Sequence, residues 1–214
     1  MRFQLKLIFV LLFIGSKLTA QVFVDDIEKV AIVVIDYCVD ENGKTYNESV
    51  SNEKSTYTNE DWRLGCLESF KKAGLRQPMK MANQCWQYVY TFINSEYKTK
   101  KLAEEDKIKC EIFRKGIYSY DSKAYNQTKI KRKKRKQVEV SPIKNQRLVY
   151  KIDWPEDNVY TLKTLKVTLE KDKDKVGDTI HVEIIEVLDD SSYMYRANFI
   201  GDTKYNYGVI HKIK

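Results

Sequence analysis

Apolar and polar residues alternate in two styles along this chain, and the change of style divides it. Val33, Ile35, Tyr37 and Val39 fall on one side of a strand over residues 30–39, with Asp36 and Cys38 on the other. Asp40-Glu41-Asn42-Gly43 follows as a hairpin turn, because Asn-Gly readily takes the positive φ angles such turns require. Residues 44–51 return as a second strand. Thr58 with Asp61 three residues on fits a helix cap. Beyond it Trp62, Cys66 and Phe70 recur at helical spacing, with Leu67 beside them. Gly74 ends the helix and Pro78 stops it from resuming. Trp86, Tyr88, Tyr90 and Phe92 then share one face of a third strand over 84–93. The predicted module, residues 21–97, is α+β in the order β-β-α-β: a three-stranded antiparallel sheet with one helix.

Residues 98–108 are largely charged and read as a connector. From 109 to 214 the pattern becomes short period-two segments separated by polar gaps: 112–120, 128–133, 137–140, 147–154, 160–169, 179–188, 193–199 and 205–213. No part of this half has helical periodicity. About eight strands in sequence predict an all-β antiparallel meander closing into a barrel or a sandwich.

Strand order makes two further predictions. With the third strand antiparallel beside the first, Cys38 lies next to Cys85 on the face away from the helix, and a Cys38–Cys85 disulfide follows. Val89 and Ile93 alternate onto that same face. Being apolar, they call for a cover, either the C-terminal module or a second copy of the chain. Cys66 points from the helix into the core as a small hydrophobe.

Residues 1–20 carry a positive start (Arg2, Lys6), an apolar run from Leu7 to Ile14 and a short polar exit ending at Ala20. This is the pattern of a cleaved secretory signal that leaves Gln21 first, and it predicts a periplasmic or secreted protein. The apolar run is well short of the ~20 residues needed to span a bilayer. The chain as a whole has 38 Lys and Arg against 30 Asp and Glu, and a formal charge of +8. Seven of those positive charges sit in one run, Lys129, Lys131, Arg132, Lys133, Lys134, Arg135 and Lys136. That run reads as a solvated hairpin tip, with an anionic surface as the alternative partner. A nuclear address conflicts with the signal, and no nucleic-acid partner is expected. In the hairpin, Arg132 would stand opposite Gln137 and Ile130 opposite Glu139, pairs that fix register.

The materials for chemistry are sparse. There are two histidines, His181 and His211, no CxxC pair, no Gly-rich phosphate loop and no nucleophile motif. Asp36, Asp40 and Asn42 before Gly43 mimic the start of a calcium loop, but Cys38 and Ser49 stand where its first and twelfth ligands belong. Neither an enzyme nor a cofactor is expected. The 15 tyrosines recur in the second half as half-buried strand residues, or alternatively as the lining of a cavity.

AIVVIDYCVDENGK at 31–44, the helix, LRQP at 75–78 and the aromatic third strand together resemble the C-terminal domain of TonB proteins. The resemblance implies that domain's fold and its habit of binding an extended peptide along an edge strand. The spanning helix and Pro-rich spacer of an energy transducer are absent. CEIFRKGIY at 110–118, with IKR at 130–132, QVE at 137–139, IDW at 152–154, YTL at 160–162 and VEII at 182–185, resembles a family of small exported proteins of Gram-negative bacteria without established activity. Two functional expectations result. The first is a non-enzymatic envelope protein that binds a protein or peptide along Trp86, Gln87, Tyr88, Val89, Tyr90, Thr91, Phe92 and Ile93. The second is a small-ligand carrier using the C-terminal β module.

Overall fold

A computed structural model of the chain describes residues 21–74, 76–142 and 145–213. The predicted signal over Met1–Ala20 lies outside the described residues. The first module is a sheet of β1 (Gln21–Val24), β2 (Val30–Val39), β3 (Thr45–Val50) and β4 (Gln84–Asn94), with helix α1 (Glu60–Ala73) on one face. The sheet has four strands, not the three expected, in the order β1-β4-β2-β3. The extra strand, β1, runs parallel to β4 and pairs Gln21 to Val24 with Thr91 to Asn94. A four-residue strand whose partner is some seventy residues away leaves no local periodicity to read.

β2 and β4 are the antiparallel centre of the sheet, in register from Val30↔Ile93 to Val39↔Gln84. At the β2–β3 turn only Gly43 takes a positive φ, +79°. The Asp40 carboxylate closes the loop by accepting from the backbone N–H groups of Asn42 and Lys44, both at 2.8 Å. A Cβ on Gly43 would lie 2.6 Å from the Gln77 carbonyl oxygen, so the close approach as well as φ demands glycine. Where β3 ends, side-chain hydroxyls serve the edge of β2. Ser55 Oγ accepts from Val34 N–H and Thr56 Oγ1 from Ile32 N–H, each at 3.0 Å.

Helix α1 begins one residue later than the expected cap. Asn59, rather than Thr58, is the N-cap, its side-chain oxygen accepting from Trp62 N–H at 3.3 Å. Gly74 closes the helix in the left-handed conformation, φ +53°. Cys66 is buried from the helix side against Val33, Ile35, Tyr57, Tyr90 and Phe92.

The C-terminal module is a closed antiparallel barrel. Its strands are β5 (Gly116–Tyr120), β6 (Lys129–Lys133), β7 (Lys136–Ser141), β8 (Gln146–Asp153), β9 (Val159–Val167), β10 (Thr179–Val187), β11 (Ser192–Phe199) and β12 (Asn206–Lys212). Each pairs with the next and β12 closes onto β5, so no edge remains. Residues 112–115, expected to open the first strand, instead finish a 3-10 segment, Glu104–Phe113, and bend from it into β5. At ~3 residues per turn Cys110 and Phe113 line up on one side, and both are fully buried in the barrel core. This segment also takes up part of the expected connector, whose Leu102 packs on the same core.

The two modules share a core. Ile93 and Tyr97 from the end of the first module pack with Ile185, Met194 and Val209 of the barrel, flanked by Phe23, Val30, Leu188 and Tyr207. The cover expected for Ile93 is therefore the barrel. Tyr97 donates from its hydroxyl to Glu186 Oε2 at 2.6 Å, and Lys100 Nζ lies 2.8 Å from Glu186 Oε1. Among the described residues no helix is long and apolar enough to cross a membrane.

Candidate functional site

The interior of the barrel is polar along one line. Alternation on β6 and β7 turns Ile130, Arg132, Gln137 and Glu139 inward, with Arg132 opposite Gln137 and Ile130 opposite Glu139 as expected. Arg132 is 2% exposed. It therefore does not belong to the surface patch in which the charge run placed it. The period of a strand applies to charges as it does to apolar residues, and every second residue of β6 faces in. Lys129, Lys131, Lys133, Lys134, Arg135 and Lys136 remain exposed around the hairpin.

Every group on the Arg132 guanidinium has a partner. Nε donates to Gln137 Oε1 at 2.8 Å, Nη1 to the Phe113 carbonyl at 2.9 Å, and Nη2 to the hydroxyls of Tyr160 and Tyr193 at 3.1 and 3.0 Å. Its plane also lies over the rings of Tyr118 and Tyr160, 4.9 and 4.6 Å from their centroids. Burial pushes the Tyr118 hydroxyl up to about 12. That hydroxyl donates to the Phe113 and Lys115 carbonyls. Arg132 thus ties the 3-10 plug to four strands and closes this end of the barrel.

The line continues outward. Gln137 Nε2 donates to Glu139 Oε1 at 2.8 Å, and the Tyr120 hydroxyl donates to Glu139 Oε2 at 3.2 Å. Burial raises the Glu139 carboxyl above its ordinary 4.5, and the two donors and the charge of Arg132 pull it partly back. Glu139 lies in the wall of a cavity of about 490 Å³ at the other end of the barrel. The barrel contributes Tyr120, Thr128, Ser141, Leu148, Tyr195, Tyr207 and Val209 to that wall, and the sheet of the first module contributes Val30, Ile32, Val89 and Thr91. The exposed Asp121 and Tyr125 mark the rim. Asp121 Oδ1 is 3.0 Å from His211 Nε2.

Gly208 sets the shape of the barrel side of this cavity. It pairs with Tyr195 across β11 and β12, and a Cβ there would meet the Tyr195 hydroxyl at 2.7 Å. Without that Cβ the hydroxyl end of the Tyr195 ring fits close against the β12 backbone, and both residues line the cavity.

The residues expected to bind a peptide are dispersed. Tyr88, Tyr90 and Phe92 pack under the helix, Ile93 is in the shared core, and Trp86 Nε1 donates to the Met81 carbonyl at 2.9 Å. Gln87 donates to Asp36 at 2.6 Å, and Val89 and Thr91 line the cavity. As backbone, the edge of β4 is taken by β1 from Thr91 onward. Of the expected segment, only Trp86 to Tyr90 lies outside the register of β1.

Cys38 and Cys85 are bonded, as strand order required. Cys66 and Cys110 are free and buried, and burial pushes each thiol up to about 11, far from the thiolate that redox or nucleophilic chemistry uses. Among the described residues no three His, Cys, Asp or Glu side chains gather as a metal site would need. Compared with protein-family models, curated proteins and solved structures, the chain matches none. The two family resemblances accordingly rest on the residues quoted above.

Proposed function

We propose that this protein binds and carries a small molecule in the cavity between the barrel mouth and the sheet. One observation carries this reading. The cavity is built by both modules and its volume lies within the ~300–1,000 Å³ usual for ligand sites. Its wall mixes apolar and aromatic side chains with polar ones such as Thr91, Ser141, Gln146 and Asn206, and within it Tyr120 is hydrogen-bonded to Glu139. Barrels of about eight strands hold one small molecule or fill with side chains. Here one end is filled, around Arg132, and the other is open. The edge-strand reading has less to stand on, since β1 shortens the segment it would use.

The test is native mass spectrometry of the full chain purified from its own host, repeated with Gly208→Leu, which drives the Tyr195 ring into the cavity. A co-purifying small molecule that the variant loses is the expected result. If the wild-type chain is empty in repeated preparations and takes up no small apolar dye, the proposal fails.

A further inference from the structure

The wall of the cavity has a one-sided charge. Among the described residues no Lys or Arg lines the cavity, and the two charged groups that do line it, Glu139 and Asp121, are both carboxylates. Their placement differs. Asp121 is at the exposed rim, where His211 pairs with it. Glu139 is 9% exposed and faces the cavity from inside the barrel. Each of its oxygens accepts one bond, from Gln137 or Tyr120. A carboxylate offers about four acceptor positions, so it has capacity left for a donor arriving from the cavity. Tyr120 and Tyr195 bring aromatic rings to the same wall, and ring faces attract cations. Across from them the first module presents Val30, Ile32 and Val89.

Resting on the small-molecule reading above, we propose that the ligand is an amphipathic amine. Its ammonium group hydrogen-bonds to Glu139 between the tyrosine rings, and its hydrocarbon part lies against the valine and isoleucine side chains of the sheet. Among the described lining residues, a carboxylate or phosphate ligand would meet two like charges and no Lys or Arg. A neutral alcohol would offer Glu139 a hydrogen bond without the charge. The hydrogen bond to a charged donor is the stronger by enough to separate amine from alcohol about tenfold.

The experiment is isothermal titration of the full chain at neutral pH and physiological salt with three probes of equal length: octylamine, octanol and octanoate. Octylamine is expected to bind about tenfold tighter than octanol, with octanoate weakest. In Glu139→Gln the amine should fall to the level of the alcohol while the alcohol keeps its affinity. The retained octanol affinity is the control that Glu139→Gln keeps a folded cavity, and the order of the three probes on the wild-type chain tests the assignment without any variant. Octanol or octanoate binding as tightly as octylamine overturns the amine assignment and leaves the carrier reading standing, as does a preference that survives Glu139→Gln. Failure of all three probes to bind strikes the cavity reading itself, and this inference falls with it.

Discussion

The hydroxyl of Tyr97 donates a 2.6 Å hydrogen bond to Glu186, so the end of the first module is fastened to β10 of the barrel. Tyr97 is 2% exposed, and Lys100 holds the other oxygen of the same carboxylate. Tyr97→Phe keeps the ring in the shared core and removes only the donor. The expected loss is about 1–2 kcal/mol, the lower part of the range for a bond to a charged acceptor because Glu186 is partly exposed. Urea unfolding checks it, and an unchanged midpoint would mean that packing alone joins the modules.

Arg132 holds the closed end of the barrel. Arg132→Met fills comparable volume but leaves Gln137 Oε1 and the Phe113 carbonyl without their donor in a buried place. A loss of about 3–5 kcal/mol is expected from equilibrium unfolding. Arg132→Lys should recover less than half of it, since an ammonium cannot reach four strands with one planar fork. A loss under ~1 kcal/mol would show that water readily replaces the guanidinium.

The pH dependence of stability should show Glu139. Its folded carboxyl titrates above the ordinary 4.5, so the folded chain binds its proton more tightly than the unfolded chain does. Stability from this group is therefore highest below 4.5 and declines as pH rises through the higher folded value. The groups facing it are Gln137, Tyr120, Tyr195 and, behind Gln137, Arg132. Wild-type minus Glu139→Gln stability, measured from pH 4 to 8, should fall with pH and then level. Carboxylates whose pKa is lowered by hydrogen bonds, such as Asp189 at about 2, are common to both chains and cancel. A difference that rises with pH would show that Arg132 and the donors outweigh burial.

Cys38–Cys85 closes a loop with a sequence separation of 47. Restricting the unfolded chain by that length is worth about 4 kcal/mol in the chain-entropy account. Reduction, or the double substitution Cys38→Ala and Cys85→Ala, should bring the first module to melt at a lower temperature than the barrel. Calorimetry would resolve the two transitions. A single unshifted transition would show that the shared core, not the bridge, sets the stability of the sheet.

What could be read in advance followed the range of the interactions. Period-two alternation located all eight barrel strands, and the Arg132–Gln137 and Ile130–Glu139 pairs were legible because a tight hairpin is a local object. Cys38–Cys85 needed only the order of two neighbouring strands. β1 was not legible, since its four residues acquire their meaning from Thr91–Asn94 in a distant part of the chain. Ile112 and Phe113 imitated the start of a strand because both are apolar in an otherwise β-rich half, whereas they end a 3-10 segment that plugs the barrel there. Arg132 was hidden by its neighbours: six exposed cations around it make a charge run that masks an inward position. The signal existed, because Ile130 and Arg132 are two residues apart and must share a face. The cavity had no such signal. Its walls come from Val30 and Val89 on one side and Glu139 and Tyr207 on the other, and only docking of the two modules brings them together.

That shared wall makes the joint and its contents partners in one equilibrium. The cavity wall comes from both modules, so a molecule bound as proposed would hold them together, and by reciprocity whatever pries sheet from barrel would lower its affinity. On the proposed carrier reading the seam would act as a clasp, keeping a cargo while sheet and barrel stay docked and releasing it when they part, with both halves still folded.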